Sequence, residues 1–92
     1  MLSSSEKKVL RGEAQLLRPR VKVGKQGLPK GVMEEIESAL SRDKLIKVRF
    51  EGDRDQITGW IAAIIEKTAA QLVGRVGKTA SFYREKEEEE RE

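Results

Sequence analysis

Val21-Lys22-Val23-Gly24-Lys25-Gln26-Gly27 is a short alternating run that ends in a Gly-x-x-Gly turn, and a helical pattern opens directly behind it at Leu28-Pro29-Lys30-Gly31-Val32. Glycine permits positive φ and lets backbone approach a ligand closely. A helix starting at this point presents unpaired N–H groups and the positive end of its dipole. With Lys22, Lys25 and Lys30 around it, the loop has the parts of a cradle for a phosphodiester backbone. Lys25 and Gln26 at its tip would supply one charge-assisted and one neutral hydrogen bond to phosphate.

The same four residues also describe an ordinary strand-to-helix connection, because two glycines three apart are common. Position favours the phosphate reading: the loop lies between a basic strand and a helix start, and the Gly-x-x-Gly loops of KH domains clamp nucleic-acid backbone with comparable parts.

The elements that must hold this loop follow from periodicity. Ser3 and Glu6 fit a capping box, and Val9, Leu10, Ala14 and Leu17 recur at helical spacing until Pro19 closes the first helix. Arg20 to Gly24 alternates as a half-buried strand. Behind the loop, Val32, Ile36, Ala39 and Leu40 line one side of a second helix. Glu34, Glu35 and Glu37 take its exposed side, the first two near the favourable helix start. Leu45 to Phe50 is a second strand, with Ile46, Val48 and Phe50 on one face and Leu45, Lys47 and Arg49 on the other. The turn from Glu51 to Asp55 offers aspartates to cap a third helix, whose stripe is Ile57, Ile61, Ile64, Ile65 and Thr68. Gly59 inside it costs about 1 kcal/mol against Ala. Leu72 to Val76 and Thr79 to Tyr83 read as strands joined by a tight Gly77-Lys78 hairpin.

The resulting order, α-β-α-β-α-β-β, predicts a two-layer α/β domain of the α+β type with a mixed four-stranded sheet over residues 1–84. Ninety-two residues suffice for one such domain with a modest core, since the apolar share is only 37%.

Other chemistry is poorly represented. The chain has no cysteine and no histidine, which excludes disulfides, a thiolate nucleophile, the usual zinc ligands and His-based acid–base catalysis. No pair of carboxylates in a plausible pocket replaces them, so neither a reaction nor a cofactor is expected. Gly77-Lys78-Thr79 ends like a phosphate-binding P-loop, but Leu72 stands where that motif needs its first glycine, and a strand pattern follows where it needs a helix. Aromatics are scarce. Phe50 and Phe82 belong in a core, Trp60 flanks the third helix's apolar stripe as packing, and Tyr83 suits either a sheet cap or an RNA contact. A multi-base stacking platform is therefore not expected.

The net charge of +3 conceals an asymmetry. Residues 85–92 hold six acids and two bases, a net −4, and leave a net +7 on residues 1–84. A basic body is the electrostatic footprint of a nucleic-acid binder, and an acidic tail of this kind reads as a frayed or disordered segment. Lys44, Lys47 and Arg49 on the second strand, Arg75, Lys78 and Arg84 at the hairpin, and Arg18, Arg20, Lys22, Lys25 and Lys30 could together form a continuous basic surface. Each taken singly is more commonly a solvated charge; what favours a patch is that Arg20, Lys22, Lys47 and Arg49 all lie on strand faces opposite the apolar ones. No signal peptide and no apolar run of membrane length is present, so a cytoplasmic protein without a membrane partner is expected.

Leu17-Arg18-Pro19, Val23-Gly24-Lys25-Gln26-Gly27-Leu28, Glu34-x-x-Glu37-x-Ala39-Leu40, Leu45-Ile46-Lys47-Val48, Val76-Gly77-Lys78-Thr79 and Tyr83-Arg84 occur in this order. Together they resemble the CRM domain (chloroplast RNA splicing and ribosome maturation) in its bacterial stand-alone YhbY form, over roughly residues 5–84. The resemblance implies a fold similar to the C-terminal domain of translation initiation factor 3, RNA binding through the Gly-x-x-Gly loop, and association with precursors of the large ribosomal subunit. In plants, related domains serve group II intron splicing. Lys44 stands where the family often has an acid, Ala80 and Ser81 weaken a strand that is usually more aliphatic, and the glutamate-rich tail is not a general family feature.

The sequence reading is thus a monomeric RNA-binding protein acting in large-subunit assembly. Gly24 and Gly27 shape the loop, Lys25 and Gln26 meet phosphate, and Lys22, Lys30, Lys47, Arg49 and Lys78 extend the basic surface. The alternative is a protein-interaction module for a ribosomal or translation factor.

Overall fold

The computed structural model describes residues 2–85, so the acidic tail beyond Glu85 lies outside the described residues. Ser3 opens α1 (Ser4–Ala14): its side chain accepts from the Glu6 N–H at 3.1 Å while the Glu6 carboxylate accepts from the Ser3 N–H at 2.8 Å. The remaining elements are β1 (Val21–Val23), α2 (Lys30–Asp43), β2 (Leu45–Phe50), α3 (Arg54–Thr68), β3 (Gln71–Val76) and β4 (Thr79–Tyr83). This is the expected order of three helices and a mixed four-stranded sheet.

The sheet runs β1-β2-β4-β3, with β1 parallel to β2 and β4 antiparallel to both of its neighbours. A helical crossover joins the parallel pair, as a parallel connection requires. The hairpin between β3 and β4 places the last strand inside the sheet. Gly77 takes φ +58°, which the two-residue turn needs and a β-branched residue would resist. Gly77-Lys78-Thr79 is thus a hairpin turn running into a strand.

Strand alternation sorts the sheet into two faces. Val21, Val23, Ile46, Val48, Phe50, Ala80 and Phe82 meet Ile36, Ala39 and Leu40 of α2 and Ile57, Ile61 and Ile64 of α3 in one core. Phe50 and Phe82 are fully buried there, each contributing about 2–3 kcal/mol of transfer free energy. Ala80 and Ser81, weak strand formers, are buried because β4 is a central strand flanked on both sides.

α1 lies on the other face. Ala14 and Val73 are buried apart from the main core, and the Arg11 side chain lies along Gly74, where a Cβ would come within 2.9 Å of its Cγ. Its guanidinium donates to the Val73 carbonyl at 3.1 Å, beside the register shift between Leu72 and Gly74. Ala14 is the only buried residue of α1, whereas Val9 and Leu17 of the expected stripe are exposed. The helix also ends at Ala14, five residues before Pro19, because the Leu16 and Leu17 N–H groups turn back to Glu13 and Ala14 in tight i→i+3 bonds.

α3 starts at Asp53, whose carboxylate accepts from the Gln56 N–H at 2.8 Å, and stops at Ala69 with φ +63°. A left-handed C-cap is a glycine position, whereas the helix interior at Gly59 has open space for a Cβ. Ala69→Gly and Gly59→Ala should each stabilise the fold by about 1 kcal/mol. At ten helical positions apart, the two should add in the double variant, as urea denaturation will measure.

Candidate nucleic-acid interface

Backbone bonds gather three loops at one end of the sheet. The Glu51 N–H donates to the Val23 carbonyl and the Phe50 N–H to the Lys78 carbonyl, both at 2.8 Å. These bonds hold the end of β1, the end of β2 and the hairpin turn side by side. Lys25, Arg49 and Lys78 consequently line one open hollow of about 460 Å³ with Phe50, Glu51, Gly52, Asp53 and Gln56. Glu51 and Asp53 oppose the three bases, although the Asp53 carboxylate is engaged as a helix cap.

The Gly-x-x-Gly segment is a turn closed by the Gly27 N–H donating to the Gly24 carbonyl at 3.0 Å. Its two glycines are not equivalent. Gly27 is buried at φ +85°, and a Cβ there would lie 3.0 Å from Trp60 Nε1. Gly24 is exposed, has no positive φ, and faces open space. Only Gly27 uses the conformational freedom expected of both. Trp60 stacks on Phe50 with ring centroids 6.1 Å apart and planes inclined by 19°. Its far edge is equally close to Gly52, where a Cβ would come within 2.8 Å. The indole is packing, as its sequence position suggests, and what it packs is the underside of the loop. That role had no signature in the sequence beyond a glycine just ahead of a helix that carries a tryptophan.

Behind the loop, α2 begins at Lys30 with Pro29 as N-cap and no side-chain capping bond. No acid occupies the first turn, since Glu34 and Glu35 fall in the second. Their expected dipole benefit is reduced by that distance, and the helix end is left positive and open.

Lys22 is the register partner of Arg49, so these two exposed bases stand side by side on neighbouring strands. Lys47 shares their face one pair further along and is half-buried beside α1. Gln26 is exposed at the turn, and Lys30 lies outside the hollow at the start of α2. Among the described residues, none of Lys22, Lys25, Lys30, Lys47, Arg49 and Lys78 pairs with a carboxylate.

The wider basic surface is not continuous. Arg20 pairs with Asp43 at 2.7 Å, and Arg75 donates to the Thr58 hydroxyl at 2.9 Å on α3. Arg84 is bound to Glu37, Ser41 and the Thr68 carbonyl, and its N–H meets the Lys44 carbonyl at the opposite end of β2. Tyr83 is also at that far end, where its hydroxyl donates to Glu85 at 2.7 Å. This bond, with burial and the nearby acids, raises the phenol above its ordinary range.

The sequence model of the CRS1 / YhbY (CRM) domain matches residues 2–84. The chain belongs to the CRM domain family. A Haemophilus influenzae protein named RNA-binding protein is 42% identical over 88 residues, covering 95% of this chain and 89% of its own. "Probable RNA-binding protein YqeI" of Bacillus subtilis is 33% identical over 92 residues, covering 96% and 93%. The solution structure of SAV1595 from Staphylococcus aureus, a protein to which RNA binding has been ascribed, superposes with a TM-score of 0.83. It is 28% identical in sequence, and the match covers 98% of this chain and 95% of that one.

Two outcomes follow for this CRM domain. Gly27→Ala should cost about 1–2 kcal/mol, from the left-handed backbone and the crowding against Trp60, while Gly24→Ala should stay within about 0.5 kcal/mol in the same denaturation experiment. The Arg20 guanidinium, bonded to the Asp43 carboxylate and aided by the charge of Arg42, holds that carboxyl below the ordinary aspartate value. Its folded pKa is thus depressed, so its stabilising contribution is present above the unfolded pKa and is lost as pH falls through the folded one. Carboxyl NMR should place the Asp43 titration below the ordinary range, and Arg20→Ala should return it there.

Proposed function

We propose that this chain binds structured RNA by its backbone, through the Gly24-Lys25-Gln26-Gly27 loop and the bases beside it, and acts on precursors of the large ribosomal subunit in the cytoplasm. The observation that carries the reading is the convergence at one end of the sheet. A turn braced from below by Trp60 adjoins an uncapped, acid-free helix start, and Lys25, Arg49 and Lys78 share the adjoining hollow. Lys22 and Lys30 flank this centre, and Lys47 extends it along the sheet face. The RNA-binding names of the relatives support the ligand class, and family membership supports the ribosomal setting.

The parts suit holding rather than reading. Backbone N–H groups, a neutral amide and lysine ammonium groups recognise phosphate without regard to sequence. Phe50 and Phe82 are buried, which leaves no aromatic row on which bases would stack. No catalytic step is assigned.

The test is Gly24→Asp combined with Lys25→Glu. Open space at Gly24 and the exposure of Lys25 predict a folded variant with an unchanged circular dichroism spectrum. Its affinity for a large-subunit rRNA fragment should fall at least about tenfold. Removing Lys78 alone should flatten the log–log salt dependence by about 0.7–0.9 if it neutralises one phosphate. Unchanged affinity in the double variant would overturn the loop reading.

A further inference from the structure

Strand register lines up four residues across the whole sheet on the face opposite the core. Lys22 is paired with Arg49, Arg49 with Thr79, and Thr79 with Val76. At ordinary strand spacing this row is about 14 Å long, enough for roughly two nucleotides of extended backbone. Lys22, Arg49 and Val76 are exposed and Thr79 is half-buried, so the row is open to a ligand.

The next row differs. Lys47 is paired with Ser81 and Ser81 with Gly74, and there α1 comes down on the sheet: Ser81 is only 7% exposed and Gly74 lies against Arg11. α1 therefore forms one wall of a cleft whose lining includes Gln15, Lys47, Val76 and Thr79. Thr79 and Val76, the far half of the row, are its floor towards the loop end, and Arg49 and Lys22 continue the row beyond it. Among the described residues neither the row nor the cleft lining contains a carboxylate, and the row passes through Arg49, which also lines the hollow beside the Gly-x-x-Gly turn.

We infer that this row and cleft seat a single-stranded RNA segment running on from the backbone held at the loop, so that the favoured ligand is a junction where a duplex gives way to a single strand. The inference rests on the proposed loop contact and extends it. Charge complementarity selects the occupant. Lys22, Arg49 and Lys47 lie at intervals along the path, with no acid among the described residues between them to repel phosphate. The cleft bounded by α1 holds only about 260 Å³, too little for a duplex, whereas one strand can follow the turn from hollow to row. Val76, 73% exposed, offers a ribose or base edge a non-aromatic contact.

The test compares a blunt RNA hairpin with the same hairpin carrying a short single-stranded extension at either end, titrated with the 92-residue chain. One extension should improve affinity roughly tenfold and steepen the log–log salt slope by about 1.4, the value for two further single-strand phosphates. The quantity read in variants is this gain. Val76→Glu and Lys47→Met should each reduce it to about twofold or less. Lys25→Glu should weaken binding of both hairpins and keep the gain. An extension that adds nothing in the unmodified chain, as expected if the row serves a protein partner, would overturn the inference. So would a gain that survives both Val76→Glu and Lys47→Met. Failure of the loop reading is separate: it appears as Lys25→Glu leaving the blunt hairpin's affinity unchanged.

Discussion

The loop end of the molecule depends on one indole. Trp60 leaves α3 with one face against Phe50, at the edge of the main core, and its edges against the α-carbons of Gly27 and Gly52. Two segments distant in sequence, the turn after β1 and the turn after β2, are thereby fixed to a single rigid side chain. Neither glycine has room for a methyl group without displacement, and Gly27 also needs its positive φ. The indole transmits the position of α3 to the start of α2. A flexible side chain at that place would leave the turn free to move relative to Arg49 and Lys78, whatever its own residues.

The second constraint is strand alternation. Burying Val21, Val23, Ile46, Val48 and Phe50 on one face obliges Lys22, Lys47 and Arg49 to the other, because the side-chain period of a strand is two. The parallel pairing then sets Lys22 directly beside Arg49. Two adjacent cations repel, and the core tolerates this because the burial on the opposite face outweighs a solvent-screened repulsion of a few tenths of a kcal/mol. Hydrophobic burial thus fixes charges in a place where electrostatics alone would separate them.

The elements that follow strict periodicity were legible in the sequence. Alternation gave β2 and its faces, the apolar stripe gave α3, and the Gly77-Lys78 turn gave the hairpin, because each is a local consequence of side-chain geometry. α1 was legible as a helix but not as a packed one. Its contact rests on Arg11 lying in the space left by Gly74, a pairing of residues 63 positions apart that no local pattern records. The support beneath the loop was hidden for the same reason. Gly24 and Gly27 look alike in sequence, and only the approach of Trp60 distinguishes the one that must be glycine. The basic face was overdrawn because charge can be counted along a chain, whereas salt bridges cannot.

That overcount divides largely by residue type. Arg20, Arg75 and Arg84 are bound to carbonyls, hydroxyls or carboxylates within the fold, while Lys22, Lys25, Lys30, Lys47 and Lys78 have no such partner among the described residues. The physical reason is the guanidinium fork, whose fixed donors satisfy several acceptors at once and lose little freedom for each bond formed, whereas an ammonium is strongly hydrated and stays in water. Architecture takes Arg20, Arg75 and Arg84 and leaves a surface made mostly of point charges. For the proposed contact this has a consequence beyond charge. Arginine is the side chain best shaped for bidentate reading of a base edge, and lysine neutralises a phosphate with little directional demand. A face made of lysines, with Arg49 among them, is fitted to locate RNA by the path of its backbone, and any selectivity must come from the shape of that path.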